Sequence, residues 1–381
     1  MVVEIDKPEV LMVTARYFPY MGGIETHVYE VGRRLVKEGI NITILTTMPP
    51  SAVAPSPPEE EVVEGMRILR VRAYPSQRDY YIAPEMRSII RDGKWDLIHC
   101  QGCHTFVPPL AMWAAKEARI PYMITLHTGG HSSGFRNSIR ALQWRAQASL
   151  LAHATKVIGV SHYEADYFRD LLRLPSMRLS VIANGITVPT LNQTPAKKSD
   201  STLIISIGRL ERYKGHQRII RAMPYIRRWR SDARLLILGA GPYEGALRAL
   251  IRECGVEEYV EMRAIPPGKR EEMAETVAQA SLVALLSDYE AHPIAVMEAL
   301  ALKRPVLGTD TSGTRELAEQ GFVRTVSLDS SPEEVARAVQ QQIEEPIVPA
   351  ENIVLPTWDD CANRVLNVYN EVLIRRELCV S

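Results

Sequence analysis

Short runs of β-branched and aliphatic residues alternate along the chain with stretches whose apolar positions recur every three or four residues. That alternation predicts parallel strands joined by crossover helices. Val10 to Ala15 forms the first expected strand, ending in an aromatic, Pro- and Gly-bearing loop from Arg16 to Gly23. A helix is expected from about Ile24 to Lys37, with Val28, Val31, Leu35 and Val36 on one face. Gly39 marks its end, and Asn41 to Thr46 is the next strand. A proline-rich loop runs from Pro49 to Pro58, and Val62 to Val71 predicts a strand pair turning at Glu64-Gly65. Asp96 to Cys100, Tyr122 to Leu126, Lys156 to Val160 and Leu179 to Ala183 supply further strands.

From Thr190 to Ser201 the chain turns polar, the best linker it contains. The rhythm then restarts with Leu203 to Ile207, Arg234 to Leu238, Tyr259 to Met262, Leu282 to Leu286, Pro305 to Leu307 and Phe322 to Val326. The expectation is an α/β protein of two Rossmann-like domains, residues 1–190 and 191–357, with a last helix over 358–381 returning to the first. Ligands of open α/β sheets bind beyond the carboxyl ends of the strands, so a cleft between the two domains is the expected site.

Composition narrows the partners. The chain has 381 residues, 46% hydrophobic and 24% charged, with Lys+Arg and Asp+Glu each totalling 45. No net charge draws it to nucleic acid. The opening Met1-Val-Val-Glu-Ile-Asp-Lys-Pro8 is unlike a signal peptide. The apolar runs fall short of the roughly 18 residues a membrane span needs. Five scattered cysteines make no disulfide framework, which suits a reducing cytoplasm.

The chemistry concentrates in two loops of the second half. In Ser287-Asp-Tyr-Glu-Ala-His-Pro-Ile294, Glu290 precedes an expected helix, Pro293 suits its first turn, and Glu298 lies inside it. A helix N-terminus offers free N–H groups to a phosphate, and an acid beside it can bind sugar hydroxyls. On spacing alone a loop acid and an exposed helix acid is the favoured reading. In Gly208-Arg-Leu-Glu-Arg-Tyr-Lys-Gly215, Arg209 and Lys214 follow a strand and could neutralise a diphosphate without a metal; a solvated basic turn is the plainer alternative. The chain has no Asp-x-Asp triplet and no P-loop, and Gly239-Ala-Gly241 lacks the third glycine of a dinucleotide fingerprint.

In the first half, Gly22 and Gly23 sit in a strand-to-helix loop where backbone can approach a ligand. His127, in Thr125-Leu-His-Thr128, follows a strand. Cys100-Gln-Gly-Cys103-His104 matches a haem-attachment pattern, but it continues a strand of a regular βα unit and is read as packing. Phe135 to Leu151, with Arg140, Trp144 and Arg145, is either a lipid-contacting amphipathic helix or a surface helix packed by Ile139, Leu142 and Leu150.

In the order and spacing of these motifs the chain resembles glycosyltransferase family 4, the retaining GT-B enzymes, from Gly22 to the closing Trp358–Leu373 segment. The resemblance implies that Glu290 and Glu298 are the family's Glu-x7-Glu pair, the first for the donor sugar and the second for the nucleotide ribose. It implies that Arg209 and Lys214 hold the diphosphate, and that Gly22 and Gly23 belong to the glycine loop closing over it. His292, Pro293 and Ile294 would line the donor site, and His127 would stand near the reacting sugar. The helix from Asp359 to Leu373 would cross back to the first domain. Three features depart from the family: His292-Pro293 replace an aromatic and a glycine, Lys303 replaces a glycine, and Thr187 replaces an aspartate.

The implied donor is a UDP-, GDP- or ADP-sugar, and the acceptor a sugar, a lipid-linked or a small-molecule hydroxyl. No cofactor or metal and no nucleic acid are implied; peripheral membrane contact is a possibility. Two other readings share the architecture: a sugar-nucleotide epimerase and a non-catalytic two-lobed binding protein.

Overall fold

The computed structural model describes residues 7–19, 22–49, 56–75, 82–103, 105–128, 147–187, 201–266, 269–349 and 354–380. Most of the expected linker, His104, and Phe135 to Arg145 of the basic helix lie outside these residues; 147–153 is helical. The described chain divides into two compact units, one built from 7–128, 147–185 and 356–380, the other from 186–355.

The first unit carries β1 (Glu9–Thr14), β2 (Asn41–Thr47), β3 (Glu60–Val63), β4 (Met66–Val71), β5 (Leu97–Gln101), β6 (Tyr122–Thr125), β7 (Lys156–Gly159) and β8 (Leu179–Val181). They form one sheet in the order β3-β4-β2-β1-β5-β6-β7-β8, and only β3 runs antiparallel to its neighbour. The β3–β4 turn has Glu64 at φ +51° and Gly65 at φ +80°, the two left-handed residues a tight hairpin of matching twist requires. The helix Gly23–Lys37 buries Val28, Val31 and Leu35 completely, and Gly39 follows it at φ +86°.

The closing helix Trp358–Val380 is part of this unit and packs on Gly23–Lys37. Arg34 is ion-paired to Asp359, and Lys156 Nζ lies 2.7 Å from Glu371. Gly185 admits the helix start: a Cβ there would lie 2.3 Å from the Trp358 nitrogen. Trp358 itself is fully buried.

The second unit carries β9 (Leu203–Ile207), β10 (Arg234–Leu238), β11 (Val260–Arg263), β12 (Leu282–Leu285), β13 (Val306–Thr309) and β14 (Arg324–Val326). All are parallel, in the order β11-β10-β9-β12-β13-β14. Counted along the chain this is the order 3-2-1-4-5-6 of a doubly wound nucleotide-binding sheet. Successive residues feed opposite cores: Ile204, Leu282 and Ala284 pack on one side, Ile205, Val283 and Leu285 on the other. Each such buried Leu, Ile or Val side chain contributes roughly 1.5–3 kcal/mol. Strand order reverses between β9 and β12, which makes the carboxyl ends of that pair the place for a ligand. Among the described residues, no helix is long and apolar enough to cross a membrane.

Candidate active site

The loops leaving β9 and β12 are stitched together backbone to backbone. Gly215 has φ +75°, and a Cβ on it would lie 1.7 Å from the Leu286 carbonyl oxygen, so only glycine fits. The Asp288 N–H donates to the Tyr213 carbonyl at 2.7 Å. Arg218 donates to the Leu286 carbonyl at 2.9 Å and to Asp288 Oδ1 at 2.7 Å. Tyr213 and Tyr289 stack in parallel, centroids 4.9 Å apart and planes 10° apart. Sequence reasoning passed over Arg218, Ser287 and this tyrosine pair, although the Ser-Asp-Tyr-Glu run lay in view.

The seam brings Lys214 and Glu290 together: Lys214 Nζ donates to Glu290 Oε1 at 2.7 Å, and the Ser287 hydroxyl donates to the same oxygen at 2.7 Å. Their side chains are 17% and 12% exposed, enough cover to strengthen the pair over one in water. Burial pulls the Lys214 ammonium down, but the Glu290 charge and hydrogen bond outweigh it, and the net shift is upward. Lys214 is therefore a cation at neutral pH.

Glu290 is fixed on its backbone side as well. Its carbonyl accepts from Gly313 N–H at 2.9 Å, and a Cβ on Gly313 would lie 2.1 Å from the Ala291 oxygen. Arg209 lies in the same loop as Lys214, 42% exposed, with Nη1 2.9 Å from Glu211 Oε1 and Nη2 donating to the Tyr213 hydroxyl at 2.9 Å. His216 is buried under this loop against the Ser206 hydroxyl at 2.8 Å, and burial pushes its imidazole down to about 4.

Pro293 is not in the first turn of the following helix, as its sequence position suggests, but at the N-cap, with φ −76° and ψ 102°. The difference is physical: the Val296 and Met297 N–H groups bond to its carbonyl, so the helix Ile294–Ala301 starts one residue later. His292, just before it, is kept neutral by burial, its imidazole pushed down to about 4. Glu298 lies within the helix and is half-buried. Lys303 follows that helix at φ +56°. The Gly239 and Gly241 pair serves packing: added Cβ atoms would strike the Gly208 and Leu210 carbonyl oxygens at 1.9 and 2.5 Å.

In the first unit Gly22 caps the helix Gly23–Lys37 in extended backbone, φ −168°. Gly23 is exposed. His127 follows β6 at φ +53°, its Nε2 2.9 Å from Gln101 Oε1. The His27 ring packs edge-on against it, centroids 4.6 Å apart. Cys100 and Cys103 are buried free thiols that donate to the Pro108 and Leu126 carbonyls. Among the described residues, no three His, Cys, Asp or Glu side chains gather as a metal site.

Comparison with known proteins fits this geometry. The family model for glycosyltransferase family 4 matches residues 21–188, and that for glycosyl transferases group 1 matches 188–353. An uncharacterized glycosyltransferase of Methanocaldococcus jannaschii is 26% identical, with 95% of this chain and 97% of that protein covered. The D-inositol 3-phosphate glycosyltransferase of Xylanimonas cellulosilytica is 26% identical, with 81% and 78% covered. Of solved structures, sucrose-phosphate synthase of Thermosynechococcus elongatus superposes with a TM-score of 0.71 at 18% identity, over 98% of both chains. HepE of Anabaena, solved with UDP-glucose, superposes with 0.72 at 16% identity, over 97% of this chain and 99% of that one. Two successive family models, a largely parallel sheet in each unit and relatives matched over most of their length leave one assignment: the chain belongs to glycosyltransferase family 4, enzymes of GT-B fold that transfer a hexosyl group from a nucleotide sugar.

Proposed function

We propose that the chain transfers its sugar with retention of anomeric configuration and without a metal ion, from a nucleoside-diphosphate sugar seated on the second unit. The observation that carries this reading is the Lys214–Glu290 pair at the point where strand order reverses, beside the start of the helix Ile294–Ala301. An ammonium, the Arg209 guanidinium and a helix N-terminus within two adjoining loops supply what a departing diphosphate needs. Glu290 would accept hydrogen bonds from donor-sugar hydroxyls, and Glu298 from the ribose. His292, Pro293 and Ile294 would line the donor, and on the first unit Gly22 and Gly23 would serve the diphosphate and His127 the reacting sugar.

The chemistry is a substitution on one face of the anomeric carbon. The acceptor oxygen forms a bond to that carbon as the bond to the diphosphate oxygen breaks. The acceptor proton passes to the departing diphosphate, whose charge Arg209 and Lys214 offset. With charge neutralised by side chains, transfer is expected to continue at full rate in excess EDTA. A donor panel (UDP-, GDP- and ADP-sugars) followed by nuclear magnetic resonance of the product tests the reading. Retention of the donor's anomeric configuration supports it. Inversion, or loss of rate on chelation, overturns the corresponding part.

A further inference from the structure

Beneath His127 lies a chain of buried polar side chains with no place in the chemistry above. Gln101 Oε1 is 2.9 Å from His127 Nε2, and Gln101 Nε2 is 3.2 Å from His99 Nε2. His99 Nε2 also meets the Thr125 hydroxyl at 2.8 Å, and His99 Nδ1 lies 2.8 Å from the Tyr369 hydroxyl on the closing helix. His99, Gln101, Thr125 and Tyr369 are each at most 1% exposed. Buried polar groups in the middle of an otherwise apolar strand are costly unless each finds its partner.

The proton assignments along this chain are linked. An amide nitrogen only donates and an amide oxygen only accepts. His99 is neutral, its imidazole pushed down to about 3 by burial. With the Gln101 amide nitrogen toward His99, His99 Nε2 accepts and Nδ1 carries the proton, donating to the Tyr369 oxygen. With the amide oxygen toward His127, His127 Nε2 carries the proton and donates. Turning the amide over would reverse every one of these assignments, so the three residues change together or not at all.

We propose that Gln101 is a positioning residue that fixes the orientation and tautomer of His127, holding it protonated on Nε2 with Nδ1 as its lone-pair nitrogen. The Gln101 amide couples the two rings in opposite senses, His127 protonated on Nε2 and His99 on Nδ1, and reaches the closing helix through the Tyr369 hydroxyl. This inference rests on the proposed role of His127 for its effect on transfer, but the tautomer assignment stands independently of it. His27 closes the ring in from the side, its own Nδ1 held 2.9 Å from Asn184 Oδ1.

The test is long-range 15N–1H correlation of the imidazole rings in the full chain labelled with 15N-histidine, with His127 assigned by its loss in His127→Asn. The expected spectrum shows His127 as the Nε2–H tautomer and His99 as Nδ1–H. Gln101→Leu is expected to turn His127 into a tautomer mixture and lower kcat about tenfold or more, with donor KM within about twofold. Gln101→Glu, whose carboxylate accepts from His127 Nε2–H but cannot donate to His99 Nε2, keeps the His127 proton on Nε2 and frees the tautomer of His99. Tyr369→Phe, which keeps the ring packing, gives the mixture at His99. The opposite tautomers in the wild type, or an unchanged His127 spectrum in Gln101→Leu, overturn the proposal. If His127→Asn transfers at the wild-type rate, the functional role of His127 falls, while the spectra still decide the tautomer.

Discussion

Lys214 and Glu290 share a hydrogen-bonded ion pair of 2.7 Å although 76 residues separate them in sequence. The pair exists because the loops leaving β9 and β12 touch through their backbones, at Gly215 against Leu286 and at Asp288 against Tyr213. Two charges that meet this way are held by main chain rather than by their own attraction. That separation of framework from chemistry allows the chemistry to be removed alone.

Glu290→Gln keeps an oxygen for Lys214 and Ser287 but removes the negative charge. Transfer is expected to fall about 100-fold to 1,000-fold, the scale for losing one pre-positioned electrostatic group. The thermal midpoint should move by no more than a few degrees, since side-chain volume and hydrogen bonds survive. Glu290→Ala is expected to cost as much activity and more stability, because it strands the Lys214 cation in partial burial. Initial rates and melting curves on the same preparations check both; a Glu290→Gln enzyme with wild-type rates removes Glu290 from the site.

Gly215→Ala attacks the framework instead. Its Cβ would lie 1.7 Å from the Leu286 oxygen at a left-handed φ of +75°, so the two loops must part. The expected loss is about 3 kcal/mol or more of stability. Transfer should fall with it, although no ligand-facing group has changed. Urea unfolding followed by circular dichroism measures the first, and an unshifted midpoint would show that the seam yields freely.

Acid should unfold the chain through its histidines. Burial pushes the imidazoles of His27, His216 and His292 down to about 4 and that of His99 to about 3, against about 6.5 in the unfolded chain. Between these values the unfolded state binds protons that the folded state refuses. The histidines' share of stability is therefore complete above about pH 6.5 and falls as pH drops toward 4, by about 1.4 kcal/mol per pH unit for each, against one opposing proton held by Glu164, whose carboxyl burial pushes up to about 8. Denaturation midpoints between pH 7.5 and 5 trace this slope. His216→Gln, which keeps a partner for Ser206, should make it shallower by one proton; an unchanged slope would exclude His216 from the titration.

The strands and the places of Arg209, Lys214 and Glu290 in loops after them were readable in sequence because each rests on local residues. Leu203 to Ile207 and Arg234 to Leu238 coincide with β9 and β10, and Glu64-Gly65 announced its own hairpin. The Lys214–Glu290 contact was less visible, since spacing places each residue at a strand end but not in reach of the other. Pro293 was put one residue too deep because proline suits the first helical turn and a helix N-cap alike. His99 and Gln101 escaped notice because a strand of five buried residues has no exposed face to make alternating polar positions conspicuous.

Lys303 offers a test in which removing a side chain should stabilise the protein. It follows the helix Ile294–Ala301 with φ +56°, at the position where the family resemblance expects glycine. A left-handed conformation costs a residue with a Cβ roughly 1–2 kcal/mol relative to glycine. Against this, glycine gives the unfolded chain more freedom to lose, about 0.4–1 kcal/mol. The strain is the larger of the two, so Lys303→Gly should gain up to about 1 kcal/mol, while Lys303→Ala, which keeps the Cβ, should gain nothing. Lys303→Asn, tolerant of the left-handed region, should fall between them. Urea midpoints at a common slope rank the three, and a glycine variant less stable than the alanine one would mean that the lysine side chain, not the backbone, governs this turn.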